Sequence, residues 1–266
     1  EQAKVHLLPA MCAFAVGGDW EPAIPLTSAW ILYLLGGTIL DDIQDQDNLK
    51  APWMVDGLDS SIPLATATMS ATNMCTSYLI NQVPKIGAEI AYVFGKTAVI
   101  AAKQQRLPLV DITTVTIEQY LEKIILTTAE VYAVGAWAGT KLVTSNFDIV
   151  TRMTKIAHNL GMSQAIVADC RDILPRVEKI SDIENRVITL PLLYITQVLS
   201  EPSILNKLTK ALSNHDFDQT LYLIEQTGAV EWCLELAQEY ECQAEIELSK
   251  LPKDIRVKMK LEFGIC

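Results

Sequence analysis

Four carboxylates fall within seven residues in the segment Leu40-Asp41-Asp42-Ile43-Gln44-Asp45-Gln46-Asp47. On a helix, Asp41 and Asp45 stand one turn apart on one face, with Asp42 beside them. Like charges at that spacing repel by roughly a few tenths of a kcal/mol per pair. The C-terminal end of a helix disfavours anions further, and no Lys or Arg lies one turn away to compensate. A divalent cation reverses the sign of both penalties. Hard carboxylate oxygens suit Mg²⁺, which takes one or two protein carboxylates and completes its shell with water and substrate phosphates. Read alone, the segment is equally a solvated acidic helix end.

A second acidic pair shifts that balance. Asp169 and Asp172, in Gln164-Ala-Ile-Val-Ala-Asp-Cys-Arg-Asp-Ile173, lie three apart on a helix that is apolar just before them. Two such clusters, each leaving a buried helix, are expected to face one another across a bundle and clamp a metal-bound diphosphate. Arg171 is expected to pair with the acids of its own helix. The histidines carry no catalytic pattern: His158 reads as surface or satisfied core and His215 as a turn, and no Ser-His-Asp spacing is present.

The elements that must carry these clusters read as helices almost throughout. Apolar or small residues recur at three- and four-residue spacing over 118–140, 148–173 and 228–251, where Leu251-Pro252 closes the last of them. No segment alternates with period two between hairpin signals. Breaks at Gly17-Gly18-Asp19, Asp47–Gly57, Val83-Pro84, Arg106-Leu107-Pro108, Thr144–Asn146, Pro175–Asn185 and Asn214-His215-Asp216 leave about nine segments. The predicted architecture is all-α, a helical bundle around a central cavity, in one domain spanning 1–266.

Composition excludes several other classes. Half of the 266 residues are hydrophobic, too many for a disordered chain. A net charge of −11 argues against a nucleic-acid surface, which needs clustered Lys and Arg. The longest near-continuous apolar stretch, Ala29–Leu40, falls short of the roughly 18 residues of a membrane span, so no transmembrane segment is expected. The six cysteines are scattered without a CxxC pair and read as packing, with a cytoplasmic setting as the default.

On these residues the chain resembles the trans-isoprenyl diphosphate synthases, the polyprenyl synthetase group of the class I terpenoid fold. Their first motif, DDxxDxD, matches Asp41, Asp42, Asp45 and Asp47, and Asp169 and Asp172 fall at the second motif, after Gly161. Glu118-Gln-Tyr-Leu121 resembles the helix before the family's Lys-Thr pair. Thr189-Leu-Pro-Leu-Leu-Tyr194 resembles its Thr-Leu-Pro segment, and Gln226–Pro252 its C-terminal helices. The resemblance implies a Mg²⁺-dependent, homodimeric prenyltransferase that ionises an allylic isoprenyl diphosphate. Asp41, Asp42, Asp45, Asp169 and Asp172 would be metal ligands. Thr128 would join the catalytic set, and Lys4, His6, Gln164, Arg186, Gly36 and Gly37 would contact substrate. Trp30, Tyr33, Tyr132 and Trp137 are candidates to face a carbocation, with core packing as the other reading of each. Gly36 and Gly37 point to a deep tunnel for a longer chain, or to a close helix crossing.

The departures from the family pattern share one chemistry. The second motif has Ala168 in place of its first Asp, and Ala165 in place of a Gln, with Gln164 adjacent. Thr127 replaces the Lys of Lys-Thr, Leu49-Lys50 an Arg pair, and Val187 a Lys, with Arg186 beside it. The remaining candidate cations for a second diphosphate are Lys4, His6, Lys50 and Arg186. The acceptor implied by resemblance is isopentenyl diphosphate. The lost cations leave open a neutral acceptor, a terpene synthase using the same donor, or an inactive partner subunit.

Overall fold

The computed structural model describes residues 2–19, 21–45, 48–105, 112, 114–174, 182–183 and 187–263, with side chains for all of these but residues 2–4, 45, 105 and 261–263. Among them there is no strand. A 3₁₀ turn (Gln2–Leu7) leads into α1 (Leu8–Ala15), and another (Glu21–Ala23) into α2 (Ile24–Asp45). Then follow α3 (Leu58–Gln82), α4 (Pro84–Gln105), α5 (Ile117–Ile124), α6 (Glu130–Val143) and α7 (Phe147–Asp172). The chain ends with α8 (Leu190–Leu193), α9 (Pro202–Asn214), α10 (Phe217–Gln226), α11 (Ala229–Ser249) and α12 (Lys253–Phe263).

Local chemistry sets most boundaries. Thr116 starts α5 with a capping box: its hydroxyl accepts from the Gln119 N–H, and the Gln119 side chain accepts from the Thr116 N–H. The Asn146 side chain accepts from the N–H groups of Asp148 and Ile149 at the start of α7. His215 closes α9 in the left-handed region (φ 59°), so it forms a turn as expected. Eleven continuous helical rods result among the described residues, against about nine expected. The breaks the sequence did not signal fall at Ser200 (φ 49°), between the π turn Tyr194–Leu199 and α9, and at Gly228 (φ 70°).

The helix read over 118–140 is one rod, α5 to α6, joined by the π turn Ile125–Ala129. A π turn forfeits regular i→i−4 bonding, and such insertions recur at functional sites. α2 packs along α3, α7 lies between α6 and α11, and α1 packs on α6. There Gly139 is obligatory, since a Cβ would sit 2.1 Å from the Pro9 carbonyl oxygen.

Trp30, Phe94, Met153, Ile156 and Leu248 anchor the largest core cluster. A second, with Tyr120, Met162, Ile166, Leu190 and Cys233, lies around the end of α7. Each large apolar side chain removed from water contributes roughly 1.5–3 kcal/mol. The described cysteines are all unpaired, and Cys12 and Cys233 are fully buried, as packing requires.

One helix is longer and more apolar on average than the uninterrupted run suggests. The helical stretch Glu21–Gln44 is long and apolar enough to cross a membrane by length and composition. Counting an uninterrupted apolar run stops at Ser28 and at Gly36-Gly37, whereas the average over 18 residues absorbs them. In this fold Ala29, Trp30 and Ile39 of that stretch are fully buried against protein.

Candidate active site

The first acidic cluster occupies the C-terminal turn of α2. Asp41 is exposed, whereas Asp42 is buried at 7% exposure. An ionised carboxylate is buried only when hydrogen bonds replace its water. Asp42 Oδ2 accepts from the Trp53 indole Nε1–H at 2.6 Å and from Asn48 Nδ2 at 3.2 Å. Both donors lie in the turn that returns the chain from α2 to α3. That turn is tied down in its own right: the Ser61 hydroxyl, fully buried, donates to the carbonyls of Trp53 and Gly57 at 2.6 and 2.9 Å. The Asp45 side chain and residue Asp47 lie outside the described residues.

The second cluster ends α7. The Asp169 carboxyl is enclosed by protein. Its Oδ2 accepts from the Tyr120 phenol, on α5, and from the Leu190 N–H at 2.9 Å, at the start of α8. Burial pushes the Asp169 carboxyl up to about 7, against which these two donors pull it down; the nearby carboxylates of Asp182 and Asp172 add to the rise. Burial, and then the Asp169 charge, push the Tyr120 phenol well above its ordinary value, so the proton in this bond belongs to the tyrosine. Asp172 pairs with its neighbour Arg171 at 3.3 Å, as the sequence suggested.

Among the described residues no three His, Cys, Asp or Glu side chains converge at metal-ligand spacing. Each cluster instead offers two described carboxylates, Asp41 and Asp42 at one helix end and Asp169 and Asp172 at the other. That donor set, all hard oxygen, fits a cation that draws the rest of its shell from water and phosphate oxygens.

The other sequence candidates distribute unevenly. Thr128 is half-buried on the π turn, where its neighbour Thr127 donates to the Lys123 carbonyl at 2.9 Å. Gln164 is exposed on α7, His6 is exposed ahead of α1, and Lys50 is exposed in the turn after α2. The Lys4 side chain and Arg186 lie outside the described residues. Gly36 sits at the α2–α3 crossing, where a Cβ would meet Thr68 Oγ1 at 2.8 Å and Met69 Cε at 2.9 Å. Gly37 is exposed, with open space at the Cβ position.

Among the aromatics, Trp30 is fully buried and donates to the Val5 carbonyl at 3.0 Å, which is core packing. Tyr33, Tyr132 and Trp137 are partly buried against the same core. Phe94 of α4 completes an aromatic group with Trp30 and Tyr33, at centroid separations of 6.2 and 6.3 Å. Sequence reasoning missed Phe94, Trp53 and Tyr120. Their partners are 11 to 64 residues away, and no local spacing announces them.

No protein-family profile matches the chain. A curated protein named prenyl transferase, from Cyanophora paradoxa, is 30% identical over 144 residues, covering 52% of this chain and 44% of that protein. The chain thus aligns with less than half the length of this relative. Crystal structures give broader matches. A polyprenyl synthase from Caulobacter crescentus CB15, complexed with calcium and isoprenyl diphosphate, superposes with a TM-score of 0.86 at 21% identity, covering 100% of this chain and 84% of that one. A decaprenyl diphosphate synthase from Rhodobacter capsulatus gives 0.84 at 16% identity, over 100% and 85% of the two chains. A geranylgeranyl pyrophosphate synthetase from Pyrococcus horikoshii Ot3 gives 0.82 at 21% identity, over 99% and 85%. The chain has the all-α isoprenoid-synthase fold shared by these proteins.

Proposed function

We propose that the chain, as one helical domain, is a Mg²⁺-dependent prenyltransferase of the isoprenyl diphosphate synthase type. The observation that carries this reading is the pair of acidic clusters at the C-terminal ends of α2 and α7, within a fold that superposes on polyprenyl synthases. The donor would be an allylic isoprenyl diphosphate, and the acceptor isopentenyl diphosphate. Asp41, Asp42, Asp45, Asp169 and Asp172 would hold Mg²⁺, which, when bound, supplies positive charge to the departing diphosphate.

The chain's own residues do the rest. The carboxylates at the ends of α2 and α7 would mark where the metal-bound diphosphate end of the donor sits. Tyr33 and Phe94 would contribute ring faces that shield the prenyl tail from water and stabilise developing positive charge. Thr128 and Gln164 would contact the diphosphate. Lys4, His6, Lys50 and Arg186 would supply the second substrate's cationic contacts. Homodimerisation fits α3, whose 25 residues carry one charge, Asp59, and expose Ile62, Leu64, Met74 and Tyr78. The unpaired cysteines suit a reducing, cytoplasmic setting.

A second reading is favoured by one observation. Thr127 stands where the resemblance expects a Lys, and its hydroxyl is spent on its own helix. That loss weakens a second diphosphate site and favours a neutral acceptor or direct quenching of the donor. Incubation of Mg²⁺ and farnesyl or geranylgeranyl diphosphate, with and without isopentenyl diphosphate, decides between them. Longer diphosphates formed only with isopentenyl diphosphate support the synthase. Hydrocarbons or alcohols from the donor alone support the lyase, and an unconsumed donor sinks both.

A further inference from the structure

The two acidic clusters share an arrangement that neither segment shows alone. In each, one aspartate is enclosed and one of its oxygens is held by the polar edge of an aromatic side chain from elsewhere in the chain. Asp42 Oδ2 takes the Trp53 indole N–H at 2.6 Å, and Asp169 Oδ2 takes the Tyr120 phenol O–H. In each, a second donor reaches the same oxygen: Asn48 Nδ2 at 3.2 Å and the Leu190 N–H at 2.9 Å.

Both aromatic donors are themselves fixed. The Trp53 carbonyl accepts from the buried Ser61 hydroxyl at 2.6 Å, which ties the backbone that carries the indole to the first turn of α3. Tyr120 is buried at 6% exposure in the second core cluster, where its ring cannot swing away. Two donors on one oxygen from rigid elements fix the rotation of a carboxylate about its Cβ–Cγ bond. Indole, phenol and amide donors do this without adding charge of their own, so they orient the carboxylate without neutralising it.

We propose that Trp53 and Tyr120 are positioning residues, one for each acidic cluster: the indole N–H sets the carboxylate plane of Asp42, and the phenol O–H that of Asp169. The assignment rests on the metal–diphosphate reading above. Neither residue touches substrate. Each acts through its aspartate, in the way outer hydrogen-bond partners orient the ligands of a metal.

The test uses Trp53→Phe and Tyr120→Phe in the full chain, with Mg²⁺ and inorganic diphosphate as the probe. Thermal unfolding without ligand is measured first, then the Mg²⁺ concentration that half-maximally shifts the midpoint at fixed diphosphate. Each variant should need about 10-fold more Mg²⁺. Donor turnover should show a fall in kcat with KM for the allylic diphosphate little changed. Combining Tyr120→Phe with Asp169→Asn should add nothing beyond Asp169→Asn, because the phenol then has no carboxylate to orient. Asn48→Ala, which removes only the weaker bond to Asp42, should move the Mg²⁺ midpoint in the same direction by less, and it serves if Trp53→Phe fails to fold. A wild-type chain unresponsive to Mg²⁺ and diphosphate overturns the functional reading and this assignment with it. A responsive wild type whose variants keep its Mg²⁺ midpoint, or a double variant whose shifts add in full, overturns the assignment alone.

Discussion

The ends of α2 and α7 carry the same chemical group into different surroundings. At the end of α2 the outer carboxylate, Asp41, stands in solvent, and the inner one faces a turn built from residues 48–57. At the end of α7, Asp169 is enclosed between α5 and the start of α8, and burial lifts its carboxyl to about 7. Solvation of the outer acid is the difference, since Asp41 is exposed while the Asp172 side chain is only 17% exposed. A carboxylate kept in water pays no desolvation cost for its charge, whereas an enclosed one trades charge for fixed geometry. The first cluster is therefore expected to dominate activity, and the second to couple activity to stability.

The largest test of that division removes acids of the first cluster. Asp41→Ala and Asp45→Ala should each cut donor turnover by roughly 100-fold or more, because loss of a group that merely orients a metal ligand already costs about 10–100-fold. Asp41 stands in solvent, so its substitution should move the ligand-free unfolding midpoint by no more than a few degrees. Steady-state turnover and calorimetry measure the two quantities side by side. Unchanged turnover in both variants would remove the first cluster from the reaction.

The second cluster should answer differently. Asp169→Ala strands the buried Tyr120 hydroxyl and the Leu190 N–H, and an unsatisfied buried donor costs about 1–3 kcal/mol. Chemical denaturation should therefore show this variant clearly less stable without any ligand. Asp169→Asn keeps an acceptor oxygen in place and should lose less. Equal losses in the two variants would mean that the hydrogen bonds are not what holds the α5–α7–α8 junction.

How much of this contrast the sequence displays follows from range. Helical periodicity, the break at Thr144–Asn146 and the stop at Leu251-Pro252 mark α7 and α11 to within a residue or two, because such signals are local. The acidic clusters are equally visible as residue types. What encloses them is not. Tyr120 lies 49 residues from Asp169, and Leu190 lies 21 from it, so their meeting is a product of packing. The π turn at Ile125–Ala129 also has no residue signature, since an i→i+5 bond arises where neighbouring helices force an extra residue into a rod. The glycines before Asp41 fit a tunnel or a crossing equally well until α3 is in place.

A further effect separates the clusters by pH. The folded Asp169 carboxyl titrates at about 7, against 3.8 for an ordinary one. Below about pH 4 both folded and unfolded states hold that proton, and its contribution to folding is fully present. Between about pH 4 and 7 the unfolded chain releases the proton while the folded chain keeps it, so the contribution falls as pH rises and levels off above about 7. Unfolding midpoints in metal-free buffer should show this decline in the wild type, and Asp169→Asn should flatten it. An identical slope in both would place the dependence elsewhere.

The smallest effect concerns the two glycines that lead into the first cluster. A Cβ on Gly36 would press on Thr68 Oγ1 at 2.8 Å and Met69 Cε at 2.9 Å. The methionine can move, but the threonine hydroxyl is held by the Ala65 carbonyl at 2.8 Å. Gly36→Ala should therefore cost about 1–2 kcal/mol through crowding at the α2–α3 crossing. One residue on, a Cβ on Gly37 meets nothing within 4 Å. Gly37→Ala should be neutral or stabilise by up to about 1 kcal/mol, because alanine gives up less backbone entropy in a helix. Only the open position has room for a side chain that shortens a prenyl product, so Gly37→Phe should shift products to shorter chains with α2 intact. If Gly36→Ala proves as harmless as Gly37→Ala, α2 is not clamped to α3 at this point, and the rigid approach to Asp41 and Asp42 loses its foundation.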